Sequence, residues 1–180
     1  MAMTARRSAL LAALLCLSSC GQAPPSPPPP DLAFDGLPVA GTRAFAERQG
    51  FTACADTGSA MRCRRDGVAL LGTGPYQAAV DVARRQESGF SQLTLWHDSD
   101  PSAVFKATEA LAAQGWQRCR TGSENRGDQE IWTKPGAAVR FSMDLSYWGK
   151  RRLRVLPEAG QPTGNVGRDK GVRRFFTSRG

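Results

Sequence analysis

Five cysteines and a single histidine limit the chemistry open to this chain of 180 residues. One histidine rules out multi-histidine zinc centres, and any Ser-His-Asp or Cys-His nucleophile would have to use His97. His97, Asp98, Ser99 and Asp100 stand together as a metal site or an acid–base cluster would. Each also has a plain structural role: His97 ends a strand, and Asp100 before Pro101 is a strong helix start. Gly72, Thr73, Gly74 and Pro75 lack the third glycine and the downstream Lys-Ser/Thr of a phosphate loop, so they read as a turn. There is no Cys-x-x-Cys pair and no nucleophile elbow. The sequence therefore assigns no catalytic residue, no metal ligand and no cofactor. An enzyme built on this chain would draw its acid and base from His97, Asp98, Asp100 or Asp144.

A second pattern suits binding better than catalysis. From Val139 the residues alternate, with Val139, Phe141, Met143, Leu145 and Tyr147 on one side. Arg140, Ser142, Asp144, Ser146 and Trp148 fall on the other, which is the period of a half-buried strand. The next strand sets Leu153 and Val155 apart from Arg152 and Arg154 in the same way. Keeping like faces together needs an odd connection, so Gly149, Lys150 and Arg151 are predicted to form a three-residue loop. That register puts Trp148 opposite Arg152 and Ser146 opposite Arg154. The expected product is a basic and aromatic face of Arg140, Trp148, Lys150, Arg151, Arg152 and Arg154, with Trp96 a possible member. It would suit an acidic envelope protein or an anionic glycan.

The N-terminus bears on where such a face would work. Residues 1–7 carry Arg6 and Arg7 without an acid, and residues 9–17 are an unbroken apolar run, the layout of a secretory signal. The run is too short to span a bilayer, which takes about 20 residues. It closes on Leu17, Ser18, Ser19 and Cys20. These four residues resemble the lipobox of bacterial lipoproteins. The resemblance covers the signal segment only and implies that Cys20 becomes the lipid-bearing first residue, thioether-linked to diacylglycerol and N-acylated. Gly21, in place of aspartate, leans the sorting towards the outer membrane, facing the periplasm. Residues 22–30 then hold six of the twelve prolines and should form a polyproline II spacer, a stand-off on the order of 30 Å from Cys20 to Asp31.

An oxidising compartment changes the reading of the remaining cysteines. Cys54 and Cys63 lie equally far from the centre of a predicted hairpin turn at 56–59, which sets them opposite each other for a disulfide. Pairing of Cys54 with Cys119 is the rival. If Cys54 joins Cys63, Cys119 is left as a buried or reactive thiol.

These residues need a scaffold. Helices are predicted over 42–49 and 101–114, ended by Gly50 and Gly115. Strands are predicted over 51–55, 60–65, 68–72, 76–83, 90–97, 116–121, 129–134, 138–148 and 152–156. Residues 44–54 and 109–119 match in kind, each running helix, glycine, aromatic, two residues, cysteine. This suggests a tandem helix-plus-strands unit. The fold class is α+β, an antiparallel sheet with two helices. The expected organisation is a signal peptide (1–19), a lipidated cysteine and tether (20–33), one domain (34–157) and a disordered basic tail (158–180).

Net charge narrows the partners. The formal +8 includes two leader arginines and a basic excess in the tail, and the rest of the chain carries only about +3. A nucleic-acid-binding domain concentrates more charge than this, so no nucleic-acid partner is expected. The sequence thus reads as a membrane-anchored periplasmic module that binds or scaffolds without catalysis. A hydrolase acting on an envelope polymer and an inhibitor of a periplasmic hydrolase are the alternatives.

Overall fold

A computed structural model of the chain describes residues 27–84, 89–121, 127–145 and 151–158. The first ordered unit is a hairpin of β1 (Leu32–Phe34) and β2 (Leu37–Ala40). Helix α1 (Arg43–Arg48) follows, then strands β3 (Ala53–Asp56), β4 (Ala60–Leu70), β5 (Thr73–Ala83) and β6 (Leu93–Trp96). Helix α2 (Val104–Ala113) comes next, before β7 (Gln117–Arg120), β8 (Gln129–Thr133), β9 (Val139–Asp144) and β10 (Leu153–Pro157). The last eight strands make one sheet in the order β3-β4-β5-β6-β10-β9-β8-β7, antiparallel at every pairing. The described residues are mostly antiparallel sheet with two helices. Pairing of β6 with β10, through Leu95 opposite Leu153 and Leu93 opposite Val155, joins the earlier strands to the later ones.

Local chemistry explains the shorter elements. The Thr42 hydroxyl accepts the Phe45 N–H at 3.2 Å and so caps α1. Gly50, at φ +85°, takes the left-handed turn that ends it. The expected start of the second helix at Pro101 is corrected. Residues 101–103 form a turn, and α2 begins at Val104 behind Ala103, which offers no capping side chain. Asp100 instead holds that turn, accepting the Ser102 N–H at 2.9 Å and the Ser102 hydroxyl at 2.6 Å. The strands expected over 60–65 and 68–72 are a single strand, β4, whose register shifts between Arg65 and Val68. Gly67, at φ +68°, sits at that irregularity.

The sheet buries one face only. Along β5 the side chains of Tyr76, Ala78, Val80 and Val82 are buried, and Leu93, Leu95, Phe141, Met143, Leu153 and Val155 continue this surface. Helix α1 adds Phe45 and Ala46 to the same apolar cluster, and α2 adds Val104, Ala107 and Leu111. The β1–β2 hairpin covers the remainder, and Phe34 meets Trp116 and Phe141 edge-on at centroid distances of 5.9 and 5.3 Å. Tyr76 ties sheet to helix, its hydroxyl 2.8 Å from Thr73 Oγ1 and 3.2 Å from the Ala103 carbonyl. Burial pushes its pKa up. Because hairpin and helices share this side, the opposite side of the sheet carries its side chains outward.

Candidate binding face

The outward side is read most directly along one row of cross-strand partners. Arg64 on β4 lies opposite Ala79 on β5, and Ala79 opposite Thr94 on β6. Thr94 lies opposite Arg154 on β10, and Arg154 opposite Ser142 on β9. Ile131 and then Cys119 continue the row to the far edge. Two smaller residues therefore separate Arg64 from Arg154.

The result is a depression of about 250 Å³ with Ala79 and Thr94 in its lining. Arg62, Arg64, Asp81, Gln92, Trp96, Asp98, Arg152 and Arg154 complete the lining. A second depression of about 240 Å³ adjoins it, lined by Gln92, Gln129, Ile131, Arg140, Ser142, Arg154 and Leu156. Gln92 and Arg154 belong to both, so the two form one surface around Arg154.

Most of these groups are held in place. Arg62 lies directly opposite Asp81 and donates to it twice, Nε at 2.7 Å and Nη2 at 2.8 Å. That hydrogen bonding raises the Arg62 pKa against a smaller opposing effect of burial. Both partners are about one-third exposed, so the pair orients Arg62 more than it stabilises the fold. The Arg64 guanidinium stands 5.5 Å over the Trp96 ring, a cation–π contact. The Trp96 indole N–H donates to Asp98 at 2.9 Å, and Gln92 donates to the Thr94 hydroxyl at 3.0 Å. Arg152 and Arg154 form no ion pair among the described residues. They join Arg140 among the cations this surface presents.

The structure thus brings Arg140, Arg152 and Arg154 onto one face and adds Trp96 to them. It corrects the register behind that expectation. Arg154 pairs with Ser142 rather than Ser146, and the Asp144 N–H reaches the Arg152 carbonyl at 3.5 Å. Strand β9 stops at Asp144 and β10 begins at Leu153, and Gly149 and Lys150 of the expected loop lie outside the described residues. The parity of the two strands survives because the shift is even. Arg151 leaves the face: it shares parity with Leu153 and Val155, and its guanidinium lies 4.2 Å over the Phe105 ring of α2. Trp148, Lys150 and Cys20 lie outside the described residues. Arg62, Arg64 and Asp81 are members that sequence reasoning missed. Their signal was the alternation of Arg62 and Arg64 with Cys63 in β4.

Cys54 and Cys63 are directly opposite each other on β3 and β4, Cα atoms 4.0 Å apart, and are joined by a disulfide. Cys119 is a free thiol, and it is exposed on edge strand β7 rather than buried. The four acid–base candidates are dispersed in role. His97 Nδ1 accepts the N–H groups of Ser99 and Asp100, at 3.3 and 3.0 Å. Bonds from Ser102 hold the Asp100 carboxyl below its ordinary range. Asp98 lines the depression, and Asp144 ends β9. No group of three or more His, Cys, Asp or Glu side chains placed to hold a metal occurs among the described residues. No helix among them is long and apolar enough to cross a membrane.

Comparison with protein-family models, with curated proteins and with solved structures gave no match. The functional reading rests on the face itself.

Proposed function

We propose that this protein is a lipid-anchored module of the bacterial cell envelope whose open sheet face binds an acidic protein without catalysis. The observation that carries the reading is the sheet face that no helix among the described residues covers, where Arg62, Arg64, Arg140, Arg152 and Arg154 line two adjoining depressions, the first of them with Trp96. Eight strands about 4.8 Å apart span roughly 34 Å. A standard interface takes about 800 Å² from each partner, which such a face can supply. Arginine and tryptophan are the residues that most often anchor interfaces. Complementary charge would add speed and selectivity more than affinity.

Two further parts belong to the proposal. The chain order of α1 with β3 to β6, then α2 with β7 to β10, together with the mirrored strand order, supports a tandem helix-plus-strands unit. Lipidation of Cys20 at the outer membrane, with residues 20–33 as tether, would present the face to the periplasm. That part rests on the lipobox resemblance. Mass spectrometry of the mature protein should find the acyl mass on Cys20 and lose it, with membrane attachment, in Cys20→Ser. Attachment that survives the substitution overturns it.

The face is tested by photo-crosslinking in the cell, with a benzophenone side chain at Gln92, between the depressions, or at Glu109 on α2. Discrete protein adducts are expected from position 92 and none from 109. Arg152→Glu/Arg154→Glu should reduce them at least tenfold. Identical adducts from both positions, adducts that survive the double variant, or a polydisperse glycan adduct would overturn the reading.

A further inference from the structure

Resting on that reading, we infer that the depression between β4 and β10 is the seat for a single carboxylate side chain presented by the acidic partner. Its size is one reason. About 250 Å³ is the liquid volume of roughly eight waters, room for one acidic side chain with some of its hydration.

The cations around it are divided in function. Arg62 has two of its donors committed to Asp81, and Arg64 rests on Trp96. Arg154 on β10 and Arg152, the residue just before that strand, are two residues apart and both line the depression. They carry the uncommitted guanidinium forks, and a fork matches the two oxygens of a carboxylate in plane. The Thr94 hydroxyl and the Gln92 amide belong to the same lining, where they can complete the hydrogen bonding of a partly desolvated oxygen.

Charge balance selects an anion. Four guanidinium groups face two carboxylates, Asp81 and Asp98, in this lining. The net excess of positive charge attracts an anion, and on the acidic-protein reading that anion is a side-chain carboxylate. The seat also explains why its floor is small. A larger residue at Ala79, itself 4% exposed, would fill the volume between Arg64 and Arg154.

The test uses the lipidated full-length chain in detergent micelles, with ¹⁵N-labelled tryptophan and the Trp96 indole signal assigned by Trp96→Phe. The probes are acetyl-Ala-Glu-Ala-amide, the same peptide with Gln in place of Glu, and inorganic phosphate. The glutamate peptide should shift the Trp96 signal saturably in the millimolar range, and the glutamine peptide at least tenfold more weakly. Arg152→Met/Arg154→Met should weaken the response at least tenfold, Arg140→Met less than twofold, and Ala79→Leu should abolish it. The dispersed indole spectrum reports in the same experiment that each variant is folded. Equal shifts from both peptides, tighter binding of phosphate, or an unchanged response in the arginine double variant would overturn the seat. The two readings fail separately. Arginine-dependent crosslinks from Gln92 without peptide binding would leave the acidic-partner face standing and remove the seat. Peptide binding without those crosslinks would leave a carboxylate site and remove the protein-binding face.

Discussion

Phe141→Ala should lower the free energy of unfolding by about 3–5 kcal/mol, the range for a fully buried aromatic truncated in a core. Phe141 is wholly inaccessible, on β9 between β10 and β8. Its ring meets Trp116 at 4.9 Å and Phe34 at 5.3 Å, both edge-on, and such pairs add about 0.5–1.5 kcal/mol beyond the area they bury. The cavity left by alanine would be walled by three separate pieces of chain: the β1–β2 hairpin, the residue between α2 and β7, and the sheet. None can move in without giving up contacts elsewhere, so the site collapses poorly and the cost belongs at the upper end. Urea denaturation should show a lower midpoint at unchanged slope. Phe141→Leu, which refills much of the space, should recover at least half of the loss. A cost below about 1.5 kcal/mol for Phe141→Ala would mean that the hairpin does not cap the core as described.

Cys54→Ser/Cys63→Ser should cost about 3 kcal/mol on the chain-entropy account of a cross-link closing a loop of this length, for a sequence separation of 9. The position makes the loss local as well as global. Strand β3 is an edge strand held only by β4, and Cys63 is completely buried. Without the bond β3 should fray first. Thermal unfolding should fall by on the order of 10 °C, and a reducing agent should bring the native protein to the same value. Cys119→Ser should change stability by no more than about 0.5 kcal/mol, as expected at an exposed position. Equal melting of oxidised and reduced native protein would show that the bridge does not hold the edge.

Several features were legible because their causes are local. Helix α1 follows from Thr42 and Gly50 within nine residues of each other. Pairing of Cys54 with Cys63 follows from a short turn equidistant from both. Arg140, Arg152 and Arg154 share a face because alternation along a strand is a property of the strand alone. The β1–β2 hairpin was missed although its signal is local. Asp35 and Gly36, at φ +50° and +73°, are a pair suited to a two-residue turn. The flanking strands of three and four residues are too short to declare an alternation.

The sequence by itself determined which side of each strand is apolar, and it favoured the pairing of Cys54 with Cys63 over Cys119. Only the tertiary structure decided how far one strand slides along the next. Parity is set residue by residue, but register depends on the length of a connection and on the packing of the face beneath. This is why Arg152 came to lie opposite Asp144 rather than Trp148. The tertiary structure also decided that Arg62 and Arg64 stand beside Arg152 and Arg154. Those pairs are about ninety residues apart, and they line one depression because β6 pairs with β10 and both strands pack against β2. No local preference encodes that encounter. It comes from the need of the earlier and later strands to close a single core as one sheet.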